Sequence, residues 1–515
     1  MSNFKRKLGE LVRGEKTTSG ILTLIIVSLV LVCNVLLYII GSYFGLYLYY
    51  PARDDLEISG ATDEYFEDVV DSGKRVNIIF CQVRDDVEAS TTGAYVLNTA
   101  EQFKERYPEF IDIEFINITV KRKYKDDGGS TFGDYVDVDK YVTVNEQGVK
   151  TPLLKTSVIF ECEDNFKVLS DYSTDGYASF FTLNSSNQAV AYNGEEMIAA
   201  MVKWVLTDEH KTAYFTMYHS ETYDVGFANM LTAAGYNVSL LDLRTISKIP
   251  EDAGLVIISN PKYDFEKGAE GTDINAELDV LEKYVNGGGN LYVSIDPFSK
   301  PLTLLEEFLQ SYGIKISSAK TENGVQHNIV RDTQSSNSAD YLSVLATVAS
   351  DSDEARVIAQ TIEKYGASAV SLRSCAAIEL SGNAKALLYA SGTADTYAGA
   401  NRTDSEGGYC LAAISAYESE SGEVGHVFAV PSIYLTSTDS LVSGGYSNRS
   451  FIYSMMENHF GASEMPHGCK TVYYDNEVLN DLSMGAARVY TVIIMLVPVA
   501  LAVTGAVIII RRKNR

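Results

Sequence analysis

His219 and Glu221, with Ser220 between them, follow an apolar run, Thr212–Tyr218, that reads as a β-strand. Asp242 ends a second such run, Tyr236–Leu243, and Asp296 follows a third, Leu291–Ile295. In parallel sheets, ligand sites gather at the carboxyl ends of strands. An imidazole and carboxylates gathered there can move protons or hold a metal. The structural alternative is plainer and preferred: Asp296 caps its loop and His219 hydrogen-bonds a turn. His219, Glu221, Asp242 and Asp296 are candidate ligand-binding residues. No catalytic residue, metal site or cofactor is expected.

A nucleophile is hard to find. There is no G-x-S-x-G elbow. The six cysteines (Cys33, Cys81, Cys162, Cys375, Cys410 and Cys469) contain no C-x-x-C and no zinc spacing. Cys81 ends a strand, but Gln82-Val83-Arg84 follows it, so redox chemistry lacks its second thiol. Gly287–Gly289 precede a strand, whereas a phosphate-cradling loop precedes a helix and carries Gly-Lys-Ser/Thr. Without an ATPase motif, any energy coupling has to come from a partner.

The elements that would position these groups alternate. Residues 212–218, 236–243, 253–259 and 291–295 read as strands, and 225–234, 274–285 and 302–312 as helices. This is the pattern of a doubly wound, mainly parallel α/β sheet. A helix over 193–205 precedes it, with Glu195 and Glu196 suiting its first turn. Earlier, Val76–Cys81, Thr92–Tyr107 and Ile111–Ile118 form a strand–helix–strand unit. Beyond 333 the pattern weakens. Strands at 386–389, 411–414 and 426–430 and a helix at 448–460 complete the second lobe, around an expected insertion at about 333–385.

Two long apolar runs bracket all of this, Gly20–Leu48 and Val489–Ile510. Each exceeds the ~20 residues that cross a bilayer as a helix. Lys and Arg flank both on the outer side, which places both termini in the cytoplasm and the bulk of the chain outside it. The expected layout is a basic tail (1–19), a transmembrane helix (20–48), a first α/β lobe (51–190), a second lobe (191–465), a stalk (466–487), a second transmembrane helix (488–510) and a basic tail (511–515). Because the ends are basic, the middle is more acidic than the net charge of −26 implies. Such a surface repels phosphate backbones, so no nucleic-acid partner is expected.

The segments NGEEMIAAMVKWV, AYFTMYHSET, AGYNVSLLDL, IPEDAGLVIISNP and ELDVLEKYVNGGGNLYVSIDPF, in that order, resemble the auxiliary proteins of gliding-motility-type (GldG-like) ABC transporters. The likeness runs from about 190 to 330 and continues through HVFAVPSIYLTS to the last apolar run. It implies a thioredoxin-like first lobe and an amidotransferase-like (Rossmann-like) second lobe without the catalytic cysteine. Where that family carries a Gly-His-Gly-Glu-like segment, this chain reads Tyr218-His219-Ser220-Glu221. The implied function is a non-catalytic binding or assembly subunit in a bacterial cell membrane. Its partners would be an ABC permease, an ATPase, the lipid bilayer and a polysaccharide or small-molecule ligand. An extracytoplasmic hydrolase of cell-wall or sugar-like material, and a structural or adhesion protein, are the alternatives.

Overall fold

The computed structural model describes residues 56–124, 132–144, 150–172, 178–183, 188–268, 276–322, 324–332, 341–365, 369–396, 408–442, 445–462 and 465–474. Both expected membrane spans lie outside these residues. No described helix is long and apolar enough to cross a membrane. The described residues from Ile58 to Tyr474 belong to one compact unit built on two large sheets.

The first sheet starts with the expected strand–helix–strand unit. Strand β1 (Val76–Phe80) pairs in parallel with β2 (Ile111–Asn117), and helix α1 (Thr91–Arg106) crosses between them. Ser90 caps α1 by accepting from the Gly93 amide, and Lys104 and Arg106 oppose the dipole in its last turn. Antiparallel β3 (Val158–Cys162) and β4 (Asn165–Tyr172), then β5 (Ala178–Leu183) and β6 (Ala189–Tyr192), extend the other edge. Helix α2 (Gly194–Leu206) leads into the second lobe.

The second sheet has a parallel half that follows the sequence pattern. Strands β7 (Thr212–Thr216), β8 (Asn237–Leu241), β9 (Ala253–Ser259) and β10 (Leu291–Ser294) lie in the order β8-β7-β9-β10. Helices α3 (Val225–Ala233), α4 (Glu277–Asn286) and α5 (Thr303–Ser311) alternate with them. Gly313, just past α5, has φ +86°, and a Cβ there would lie 2.1 Å from the Ser381 carbonyl oxygen, so only glycine fits.

The other half of the sheet departs from the expected parallel arrangement. It comprises β11 (Ser343–Val348), β12 (Val370–Arg373), β13 (Lys385–Tyr389), β14 (Cys410–Glu418) and β15 (Val424–Val430). β15 pairs in parallel with β10, and the pairs beyond it are antiparallel. The turn between β14 and β15 is too short for a crossover, so it makes a hairpin. The sheet is mixed.

Much of the region expected as an insertion belongs to this sheet. β11 and β12 form its far edge, and α6 (Asp353–Tyr365) packs on α7 (Asn448–His459). Val344, Ala346, Val370 and Leu372 are fully buried.

Residues read as the start of a stalk also take part in the fold. β16 (Val472–Tyr473) pairs antiparallel with β6 and returns the chain to the first sheet. Glu195, in the first turn of α2, is buried where the two ends of the described body meet. Its Oε1 accepts from the Ser59 amide (2.9 Å), the Ser59 hydroxyl (2.6 Å) and the Thr62 hydroxyl (2.7 Å). Its Oε2 accepts from the Lys470 amide (2.9 Å). Next to it, buried Glu196 pairs with the Arg449 guanidinium and accepts from the Tyr453 hydroxyl. These two acids do more than oppose a helix dipole.

Candidate functional site

His219 follows β7 at the carboxyl end of the parallel half and is 7% exposed. Its ring stacks on Phe265 with 4.0 Å between centroids. Its Nε2 lies 3.2 Å from Glu277 Oε2. Its Nδ1 lies 3.4 Å from Glu221 Oε1, an ion pair without hydrogen-bond alignment. Glu221 Oε2 also accepts from the His219 amide at 2.6 Å, and Glu277 Oε2 from the Glu266 amide at 2.9 Å. Burial alone would lower the His219 pKa, but Glu221 and Glu277 outweigh it and raise it to about 9. At neutral pH the imidazole is a cation between two carboxylates. Burial works to raise the Glu221 pKa, while the imidazolium and backbone amides hold it below the usual range.

The backbone around His219 is unusual. Tyr218 has φ +84° and Ser220 φ +56°. Neither residue is glycine, so each left-handed conformation costs on the order of 1–3 kcal/mol. Asn260, after β9, has φ +54°. The three loops are cross-linked. The His219 carbonyl accepts from the Lys262 amide (2.7 Å) and the Tyr263 amide (3.3 Å), the Ser259 carbonyl from the Thr222 amide (2.8 Å), and the Ser294 carbonyl from the Asn260 amide (2.8 Å).

The four sequence-derived residues are thus placed unequally. His219 and Glu221 touch. Asp296 is connected through Lys262, whose ammonium donates to Asp296 Oδ2 and to Asn260 Oδ1, both at 2.9 Å. Asp296 Oδ1 accepts from the Phe298 amide at 3.0 Å, so it does cap its loop. Asp242 sits further out, bound by both Nε and NH2 of Arg244 at 3.0 and 3.1 Å. Arg244 lies 3.9 Å from the centroid of the Tyr218 ring. The Arg244 guanidinium lowers the Asp242 pKa.

Sequence reasoning missed Glu277 and Lys262. Glu277 opens α4, where an acid reads as a dipole partner, and only the tertiary fold turns it toward His219. Among the described residues, no group of three or more His, Cys, Asp or Glu side chains is arranged to hold a metal ion. Burial pushes the Cys81 thiol up to about 12, which leaves little thiolate at neutral pH.

No protein-family model matches the chain, and no curated protein matches it. Among solved structures, the mmIFT52 N-terminal domain is 17% identical with a TM-score of 0.34, over 47% of this chain and 94% of that one. PurLQS from Thermotoga maritima is 13% identical with a TM-score of 0.29, over 48% and 98%. A ThuA-like protein from Bacteroides uniformis is 12% identical with a TM-score of 0.27, over 50% and 94%. Likenesses at this level carry no argument about what this chain does.

Proposed function

We propose that this chain is a membrane-anchored, extracytoplasmic auxiliary subunit of an ABC-type transport system. It acts as a non-catalytic binding or assembly component beside a separate permease and ATPase. The first lobe is read as thioredoxin-like and the second as amidotransferase-like. The two apolar runs, the lack of an ATPase motif and the family resemblance of residues 190–330 support the membrane and transporter parts of this reading.

The single observation at the site that favours binding over catalysis is the state of His219. A general base needs a free ring nitrogen. Here both nitrogens face buried carboxylates, and the ring is charged at neutral pH. His219 is for that reason a poor general base, which favours the binding reading.

The test is affinity capture of the tagged full chain from native membranes in mild detergent. The expected result is recovery of an ABC permease and an ATPase in constant ratio to the bait. Recovery of the chain by itself, from membranes that contain such a transporter, would count against the proposal.

A further inference from the structure

One lysine reaches from the first sheet to the second without meeting a carboxylate. Lys167 lies on β4, and its Nζ donates to Oδ1 of Asn237, which opens β8, the edge strand of the second sheet, at 3.0 Å. The same Nζ lies 4.5 Å from the centroid of the Trp204 ring. Trp204 belongs to α2 and is itself fixed by stacking on His210, with 3.7 Å between centroids and 3° between planes. Among the described residues, no carboxylate pairs with this lysine, and burial lowers its pKa to about 8. About a tenth of the side chain is then neutral amine at pH 7.

A neutral amine held against a carboxamide is a nucleophile beside an acyl carbon. The carbonyl bond of Asn237 is about 1.2 Å long, so its Cγ lies within about 4.2 Å of the lysine nitrogen. Rotation about the last bonds of either side chain closes that gap to the ~3–3.5 Å of a reacting pair, and such positioning is worth an effective concentration of ~10⁵–10⁸ M. The product also removes a cation that burial penalises and no anion compensates. We propose that Lys167 and Asn237 condense into an intramolecular isopeptide bond that ties the first sheet to the second. The Nζ–Cγ bond forms, the Cγ–Nδ2 bond breaks, a proton passes from Nζ to Nδ2, and ammonia leaves. Nothing is oxidised or reduced, and no co-reactant is consumed. The cross-link does not depend on the transporter reading.

The test is mass spectrometry of the full chain, purified folded in detergent, held at about pH 9 so that the amine is largely neutral, and then digested with trypsin. The expected product is a branched peptide that contains both Lys167 and Asn237, is uncut after Lys167, and is one ammonia (about 17 Da) lighter than the sum of its two arms. Lys167→Arg keeps the positive charge and Asn237→Ala keeps the lysine; each is expected to yield only linear peptides. Chain held in urea through the same incubation is expected to form no new branches, because the pair is then no longer held together. Linear peptides alone from the folded parent overturn the proposal. So does an ammonia loss confined to the Asn237 peptide, which would be closure of that side chain on its own backbone. A branched peptide that persists in either variant would place the bond elsewhere and overturn it as well.

Discussion

His219 gives the molecule a pH-dependent stability. Its folded pKa, about 9, stands above the ordinary histidine value near 6.5. A raised pKa contributes stability that is fully present below the unfolded value and is lost as pH rises through the folded one. The window is therefore pH 6.5 to 9, and the loss across it is up to about 3 kcal/mol. Urea unfolding of the parent and of His219→Gln at the two ends of the window would measure it; the same pH dependence in both would refute the charge assignment. His219→Gln leaves Glu221 and Glu277 facing each other without a cation. It should cost about 3–5 kcal/mol and flatten the pH dependence. Ser220→Gly tests the strained turn from the other direction. At φ +56° glycine is relaxed, and after the entropy it adds to the unfolded chain is offset, the variant should gain up to about 1 kcal/mol in the same unfolding assay.

At the scale of elements, a comparable experiment lies at the first turn of α2. Glu195→Ala removes the acceptor for the Ser59, Thr62 and Lys470 groups. The expected result is faster amide exchange at 58–62 and 468–473, with exchange in β7–β10 unchanged, and a loss of about 3 kcal/mol. What the sequence made legible, and what it did not, divides along similar lines. The strands and helices of 212–311 were readable because most are apolar or 3.6-periodic runs closed by Gly, Pro or Asp. β11 and β12 were not, because serines and alanines dilute their pattern and the burial of Val344 and Val370 depends on distant partners; α6 does carry an apolar face, Ala355, Ile358 and Ile362, and only its place in an expected insertion hid it. The site shows the same division. His219 and Glu221 are near neighbours in sequence and could be paired on paper. Glu277 comes 56 positions after Glu221 and Lys262 41 after it, and only the sheet order unites them.

At the scale of the whole molecule, the proposed topology predicts where reagents reach. A tag inserted near residue 130 or 340 should be cut by protease added to intact cells freed of their wall; shielding of both until lysis would reverse the orientation read from the basic flanks. In the proposed two-anchor topology, the Glu195 junction has a mechanical consequence. Residues 58–62 and 468–470 are joined through one side chain, and the Ser59 hydroxyl also reaches the Gly468 carbonyl at 3.4 Å. A pull from the C-terminal side enters through β16, at the edge of the first sheet, before it meets the N-terminal strap at this seam of hydrogen bonds.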